Sequence, residues 1–300
     1  MNKIRFHLFF ITSVVVFAIA FVEPVFAAEQ WKTKTLTIAL IPEKNESDQR
    51  RHYRHISSYL QNKLGIRVRL KLVPYDQMAA TLASGEAQAG FFGSLGYVIT
   101  HKNSGLIPLA RPVWKNGVST YAGLMIVRKD GNIKSVADMK NKKLVFVSKS
   151  TTAGYVFPNA YLFQNGVSDV ETYFSNVVYS GSHESAAWAV YSREADVGAV
   201  KNHIFNALKN DEPNFSKEMM VLAKSKDVPS NSFAISPHVL PKLREKIQKL
   251  LLNMHLDPKG KEKLAKFGAQ KFVVTSDADF QPCYEMLKNA EIALSTQKVH

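Results

Sequence analysis

Three consecutive hydroxyl residues, Ser150, Thr151 and Thr152, are the strongest candidates for chemistry in this chain. They follow an apolar run at 144–147, which predicts a buried strand, and they precede a helix expected from Tyr155. Hydroxyl groups and free N–H groups at a helix start can bind an oxyanion, which the helix dipole also favours. The same hydroxyls could instead only cap the helix, because the first N–H groups of every helix need partners. The local pattern therefore predicts either an anion site or a helix cap.

Three further loops with polar donors are predicted at the carboxyl ends of strands, where open α/β sheets bind ligands. They contain Tyr75, Ser94 and His183, and the last two residues each stand at the start of a predicted helix. A buried tetrahedral oxyanion needs several charge-assisted hydrogen bonds, each worth roughly 1.5–3 kcal/mol. Together, these loops and the hydroxyl run could supply them.

The elements that position these loops alternate between strand and helix along most of the chain. Strands are expected at 36–40, 68–72, 89–92, 107–110, 121–128, 144–147, 177–179, 197–200, 219–223 and 233–235. Helices are expected between most of them, and three more follow at 241–254, 258–267 and 277–294. This alternation predicts an α/β fold. We expect two lobes, each a mixed, mostly parallel sheet flanked by helices, with two hinge crossovers between them.

The N-terminal residues have the pattern of a secretory signal peptide. Lys3 and Arg5 precede an apolar run at 8–22, and small residues around Ala27 provide a cleavage site. A retained anchor is the alternative, but Glu23-Pro24 ends the run at about 15 residues, which is short for a membrane span. The cleavage site has no cysteine for a lipid anchor. We therefore expect export to the periplasm with cleavage after Ala27.

The expected domains follow from these boundaries. Residues 1–27 are the predicted signal peptide, residues 28–120 together with 231–300 the first lobe, and residues 121–230 the second lobe. We expect the exported protein to be a monomer.

Composition argues against several other classes of function. The formal net charge of +14 could serve nucleic acid, a membrane surface or a small anion. The basic residues are dispersed and no nucleic-acid-binding motif accompanies them, so no nucleic-acid partner is expected. The single cysteine, Cys283, excludes an internal disulfide. His52 and His55 have a metal-compatible spacing but lack supporting carboxylates or cysteines, so neither a metal nor a cofactor is expected.

Several motifs add a more specific indication. They are Phe92-Gly93-Ser94-Leu95-Gly96-Tyr97, Ser150-Thr151-Thr152-Ala153-Gly154-Tyr155, Gly181-Ser182-His183-Glu184, Ala195-Asp196-Val197-Gly198-Ala199-Val200 and Asp257-Pro258-Lys259-Gly260. In type and order they resemble the phosphate/phosphite/phosphonate-binding (PhnD-like) family of periplasmic ABC-transporter substrate-binding proteins. The likeness covers about residues 35–290. It implies the type II periplasmic-binding-protein fold and delivery of a small anionic ligand to a permease in the inner membrane.

The resemblance also implies roles for single residues. Two family aromatic residues that contact the ligand are matched by Tyr75 and Tyr121, and the family histidine by His183. The motif that holds the phosphoryl oxygens is matched at 151–153, where Ala153 lacks a hydroxyl that Ser150 could replace. The candidate ligand-binding residues are Tyr75, Ser94, Tyr121, Ser150, Thr151, Thr152, Ala153, His183, His203 and Asn231.

One departure from the family pattern bears on the ligand. Family members that bind aminoalkyl phosphonates hold the ammonium with two acidic residues, and the matching positions here are His203 and Asn231. An unpaired ammonium in a closed cleft is costly, so 2-aminoethylphosphonate is expected to bind poorly. Phosphite, phosphate and simple phosphonates are the ligands that the sequence leaves open.

These observations predict a non-enzymatic receptor for a small phosphorus oxyanion. A sensor subunit of the same fold, which signals to a membrane kinase or chemoreceptor, is the alternative that sequence does not separate. An enzyme would need Cys283 as its nucleophile, and we expect that residue to lie far from every candidate loop.

Overall fold

The computed structural model describes residues 35–296, and the predicted signal peptide lies outside the described residues. All ten expected strands are present, although the one expected at 121–128 is divided in two. The strands are β1 (Thr35–Leu40), β2 (Arg67–Leu72), β3 (Ala89–Phe92), β4 (Ile107–Trp114), β5 (Thr120–Tyr121), β6 (Gly123–Arg128), β7 (Lys143–Phe146), β8 (Asn176–Tyr179), β9 (Val197–Lys201), β10 (Met219–Lys224), β11 (Val228–Pro229), β12 (Ser232–Ile235) and β13 (Ala269–Val274).

Helices connect these strands and cover the faces of the sheets. They are α1 (Glu46–Leu64), α2 (Met78–Ala83), α3 (Ser94–Ser104), α4 (Phe157–Gln164), α5 (Val170–Tyr173), α6 (His183–Tyr191), α7 (Asn202–Asp211), α8 (Pro213–Glu218), α9 (Pro241–Leu252), α10 (Pro258–Phe267) and α11 (Gln281–Thr296). A single π-helical turn, Thr152–Val156, runs directly into α4.

Helix boundaries follow local capping chemistry. The side chain of Asn45 accepts a hydrogen bond from the Asp48 N–H at 3.0 Å and so caps α1, and Gly65 ends that helix at a φ of 69°. Asp257 caps α10 in the same way, and Gly268 ends it at a φ of 80°. Glycine suits both ends because a left-handed conformation strains other residues.

Two mixed sheets form the framework. The first has the strand order β13-β4-β12-β3-β1-β2 and the second β10-β6-β9-β7-β8. The parallel pairs are confined to β3-β1-β2 and to β9-β7-β8. The sheets contain more antiparallel strand pairs than the mostly parallel sheets that we expected from the alternation of strands and helices. The reason is that β6 and β12, which follow the two connections between the sheets, run antiparallel to their neighbours.

Two connections and one helix join the sheets. The chain passes between them at β5 and β11, which pair with each other in an antiparallel ribbon. Helix α11 then packs against α3 beside the first sheet and α4 beside the second. One buried apolar cluster includes Phe92 from the first sheet, Val147 after β7 and Phe280 before α11, so the core continues across both sheets.

Besides the two-residue strand β11, periodicity does not indicate strand β13. Of its six residues only Ala269 and Phe272 are fully buried, so the sequence lacks a regular alternation of apolar and polar residues. Pairing with β4 at the edge of the first sheet, which is a long-range contact, stabilises it. Among the described residues, no helix is both long and apolar enough to cross a membrane.

Candidate functional site

A small, nearly closed cavity of about 10 Å³ lies between the two sheets. The first sheet contributes the loops after β1, β2 and β3, and the second contributes the loops after β7 and β8 together with the end of β9. Six predicted residues line the cavity, namely Tyr75, Tyr121, Ser150, Thr151, Thr152 and His183. Lys201 also lines it, although the sequence analysis did not single that residue out.

The hydroxyl loop is held tightly against strand β7. The Val147 N–H donates to the Gly154 carbonyl at 3.1 Å, and a methyl group added at Gly154 would lie 2.5 Å from Cγ2 of Val147. The Thr151 hydroxyl donates to the Ser148 carbonyl at 2.7 Å and makes no cap with the following turn. The helix-cap hypothesis is therefore wrong for this side chain. Glycine is needed at 154 because only its backbone fits so close to the strand.

Helix α3 begins at the opposite wall of the cavity. The Leu95 N–H donates to the Thr152 hydroxyl at 2.9 Å, so the two walls are joined by a direct hydrogen bond. Ser94 is fully buried, and its hydroxyl donates to the Pro229 carbonyl in β11 at 2.8 Å. This hydroxyl is engaged with a connection between the sheets, and the neighbouring Gly93 and Leu95 line the cavity in its place.

His183 is the most unusual polar residue of the site. It is fully buried at the start of α6, and neither ring nitrogen has a hydrogen-bond partner within the described part of the chain. Burial, with a further contribution from the charge of Lys201, holds its pKa well below the ordinary value. The ring is therefore neutral and offers one N–H donor and one acceptor. Since an unpartnered buried polar group is costly, it indicates a group that receives a ligand.

Lys201, Glu43 and Asn231 form a buried polar cluster beside the cavity. Lys201 donates to Glu43 and, at 2.7 Å, to Oδ1 of Asn231, while Nδ2 of Asn231 donates to Glu43 at 2.6 Å. The Lys201 Nζ also lies 4.4 Å from the ring centre of Tyr121. Burial alone would raise the pKa of Glu43, but the charge of Lys201 outweighs it and lowers the pKa to about 2. Glu43 is therefore ionised.

Neither member of this ion pair is among the site residues predicted from the sequence. Glu43 follows β1, and Lys201 is the last residue of β9. Both stand at the carboxyl ends of strands, the same signal that identified the other loops, so it could have indicated them. Their pairing is a contact between residues 158 positions apart, which no local pattern encodes.

Besides Ser94, three predicted residues lie outside the cavity lining. Asn231 reaches the site only through Lys201 and Glu43. His203 in α7 lies in an adjacent groove, where its Nε2 is 4.0 Å from Glu43, and burial lowers its pKa to about 4. The Ala153 side chain is buried close to Gly123 of β6.

Cys283 lies closer to the hydroxyl loop than expected. Its sulfur is 3.8 Å from the Thr152 hydroxyl, so the expectation that it stands far from every candidate loop is wrong. Helix α11 brings it there by packing across the two sheets. Burial raises the pKa of the thiol to about 12, and a neutral, fully buried thiol is a poor nucleophile.

The two histidines with metal-compatible spacing lie on α1. His52 lies against Phe267, with the ring centres 4.5 Å apart. Across the side chains that the structure describes, no group of three or more histidine, cysteine or acidic residues could hold a metal ion.

Comparisons with known proteins agree with this geometry. The model of the family described as "ABC transporter, phosphonate, periplasmic substrate-binding protein" matches residues 38–280. A phosphate-import protein of Mycolicibacterium smegmatis is 26% identical over 226 residues, which are 70% of this chain and 70% of that protein. A phosphonates-binding periplasmic protein of Escherichia coli is 24% identical over 269 residues, 88% of this chain and 78% of the relative.

A solved structure shares the fold. It is a binding-protein component of an ABC phosphonate transporter from Pseudomonas aeruginosa, and it superimposes with a TM-score of 0.81 at 18% identity, covering 88% of each chain. The predicted two-sheet periplasmic-binding-protein architecture is therefore confirmed.

Proposed function

We propose, because this chain belongs to the family of periplasmic substrate-binding proteins of phosphonate ABC transporters, that it captures a small phosphorus oxyanion and delivers it to a permease. The ligand class comprises phosphite, phosphate and simple phosphonates. The relatives are named for binding and import, and we extend the same non-enzymatic role to this protein.

The observation that carries this proposal is the unpartnered, buried His183 beside the hydroxyl loop. A neutral imidazole donates one N–H to a ligand oxygen, and the Thr152 hydroxyl and the N–H groups that follow it add further donors. On the opposite wall stand the start of α3 and the ammonium of Lys201, both of which favour negative charge. A compact tetrahedral oxyanion matches this set of donors.

The same arrangement supports capture by closure of two lobes. Residues from both sheets line the cavity, so neither half can surround a ligand alone. We place the first lobe at 28–120 with 231–300 and the second at 121–230, with hinges at β5 and β11. Closure about two hinge strands then completes the site and shapes the surface that the permease meets.

The localisation follows the family, and the oligomeric state is a separate proposal. The family is periplasmic, and we propose that the signal peptide is cleaved after Ala27 and that the mature protein acts as a monomer.

A thermal-shift screen tests the function directly. The purified protein is mixed with phosphite, phosphate, hypophosphite, methylphosphonate, sulfate or arsenate. At a ligand concentration of about 100 times Kd, binding stabilises the folded state by about 2.7 kcal/mol, which raises Tm measurably. We expect this shift with at least one phosphorus oxyanion and its loss in His183→Ala. A flat response to every phosphorus oxyanion would overturn the proposal.

A further inference from the structure

We propose that Lys201 determines which substituent the ligand can carry. Its ammonium, held by Glu43 and Asn231, makes one wall of the cavity positive and excludes phosphonates that carry an ammonium of their own. This inference rests on the proposed function, because it concerns the selectivity of the same cavity.

The Lys201–Glu43 ion pair has a definite orientation relative to the cavity. Lys201 lines the cavity, whereas Glu43 lines the adjacent groove of about 370 Å³ together with His203 and Trp114. The pair therefore separates the two spaces and turns its positive end towards the cavity. Since the side chains of Lys201 and Glu43 are only 3% and 8% exposed, solvent screens this field poorly.

The carboxylate of Glu43 is fully engaged. One oxygen accepts from Lys201 and the other from Asn231 at 2.6 Å. A ligand ammonium would thus find no free carboxylate and would approach a second ammonium instead. At an effective dielectric constant of about 20, repulsion by Lys201 at about 5 Å exceeds attraction by the more distant Glu43 at about 8 Å, and the difference corresponds to roughly a ten-fold change in affinity.

Other groups reinforce the positive wall. A methyl group added at Gly93, which immediately precedes α3, would lie 3.7 Å from the Lys201 Nζ, so the lysine stands beside the N-terminal end of that helix. Three titratable groups near the pair are neutral: burial lowers the pKa of His183 and His203 and raises that of Tyr75. Lys44, the neighbour of Glu43, lines the adjacent groove. On the cavity side the lysine charge is therefore offset only by Glu43, which lies behind it.

The structure gives a different reason for the poor binding of 2-aminoethylphosphonate from the one that the sequence suggested. The sequence attributes rejection of 2-aminoethylphosphonate to a lack of acidic residues at His203 and Asn231. The structure instead places a carboxylate next to the cavity and neutralises it with a lysine. Replacement of Lys201 by an uncharged residue should then allow the site to bind aminoalkyl phosphonates, because Glu43 becomes available to a ligand ammonium.

The experiment compares two ligands of the same size, n-propylphosphonate and 2-aminoethylphosphonate, which differ in a terminal methyl or ammonium group. Calorimetry, or competition against methylphosphonate, gives Kd for each with the native protein, Lys201→Met and the double variant Glu43→Gln/Lys201→Met. The control is Lys209→Met, which removes an exposed lysine of α7.

In the native protein we expect n-propylphosphonate to be favoured by roughly ten-fold. In Lys201→Met the preference should fall at least ten-fold or reverse, since Glu43 can pair with the ammonium. The double variant buries no charge at either position, so it controls for misfolding caused by an unpaired buried charge. It should lose the repulsion between Lys201 and the ligand ammonium without gaining an ion pair between Glu43 and that ammonium. Its preference should lie between the other two, and Lys209→Met should match the native protein.

The outcomes separate the two proposals. If the native protein binds none of these compounds and no other phosphorus oxyanion, the proposed function fails. If it binds methylphosphonate but the preference is the same in the native protein, Lys201→Met and the double variant, the function stands and the role of Lys201 is refuted.

Discussion

The backbone N–H of Leu95 donates a 2.9 Å hydrogen bond to the hydroxyl of Thr152, which lies 57 positions further along the chain. Leu95 belongs to the first turn of α3 beside the first sheet, and Thr152 follows β7 of the second. The bond therefore joins the two halves of the molecule across the cavity. Both residues also line that cavity, so the groups that hold it closed are the groups proposed to hold the oxyanion.

Replacement of Thr152 by valine keeps the side-chain volume and removes the hydroxyl. We expect phosphite or methylphosphonate affinity to fall about 10- to 100-fold, because one charge-assisted hydrogen bond is lost and the Leu95 N–H loses its partner. Calorimetry measures the change. Thr172→Val, at an exposed position on α5, is the control and should bind as the native protein does. Unchanged affinity in a folded Thr152→Val protein would exclude the hydroxyl loop as the site.

Replacement of His183 by leucine should separate stability from function. The native ring is fully buried with two unpartnered nitrogens, so an apolar residue of similar size removes a desolvation cost. We expect the free energy of unfolding to stay the same or rise by about 1 kcal/mol, while oxyanion binding is lost. Urea denaturation and calorimetry on the same sample report the two quantities. A variant that is clearly destabilised yet still binds would contradict the assigned role.

Acid should destabilise the protein below neutral pH. Burial holds the pKa of His52 at about 4 and that of His183 well below its ordinary value, whereas both titrate near 6.5 when the chain is unfolded. The unfolded state therefore takes up protons that the folded state does not as the pH falls through 6.5. Each histidine should lower the free energy of unfolding by up to about 1.4 kcal/mol per pH unit between about 6 and 4.

Urea denaturation at pH 7.5, 6.5 and 5.5 measures this slope. His52→Gln should reduce it, and His238→Gln, at an exposed position, should leave it unchanged. A free energy of unfolding that is constant over this range would contradict the buried, neutral state of these two histidines.

The single thiol should be unreactive in the folded protein. Cys283 is fully buried, and its burial raises the pKa of the thiol to about 12. Ellman's reagent at pH 8 should therefore modify no thiol in the native protein and one per chain in denaturant. Rapid modification of the native protein would show an accessible thiolate and would revive the hypothesis of a cysteine-based enzyme.

Much of the fold could be predicted from the sequence, because its signals are local. Apolar runs bounded by turn residues indicate strands such as β3, and the capping pattern of Asp257 and Gly268 indicates both ends of α10. Strand β13 escaped prediction because only its pairing with β4 stabilises a sequence without regular alternation.

The candidate site likewise combines features that the sequence predicts with features that only long-range contacts produce. The sequence by itself determined that hydroxyl residues follow β7 and that a histidine begins α6, since both depend on neighbouring residues in the chain. Only the tertiary structure decided that Lys201 pairs with Glu43, that Cys283 touches Thr152 and that His203 stands outside the cavity. Those contacts join residues more than 100 positions apart or depend on how α7 and α11 pack. Their energy comes from burial and charge in three dimensions, which the periodicity of a sequence does not record.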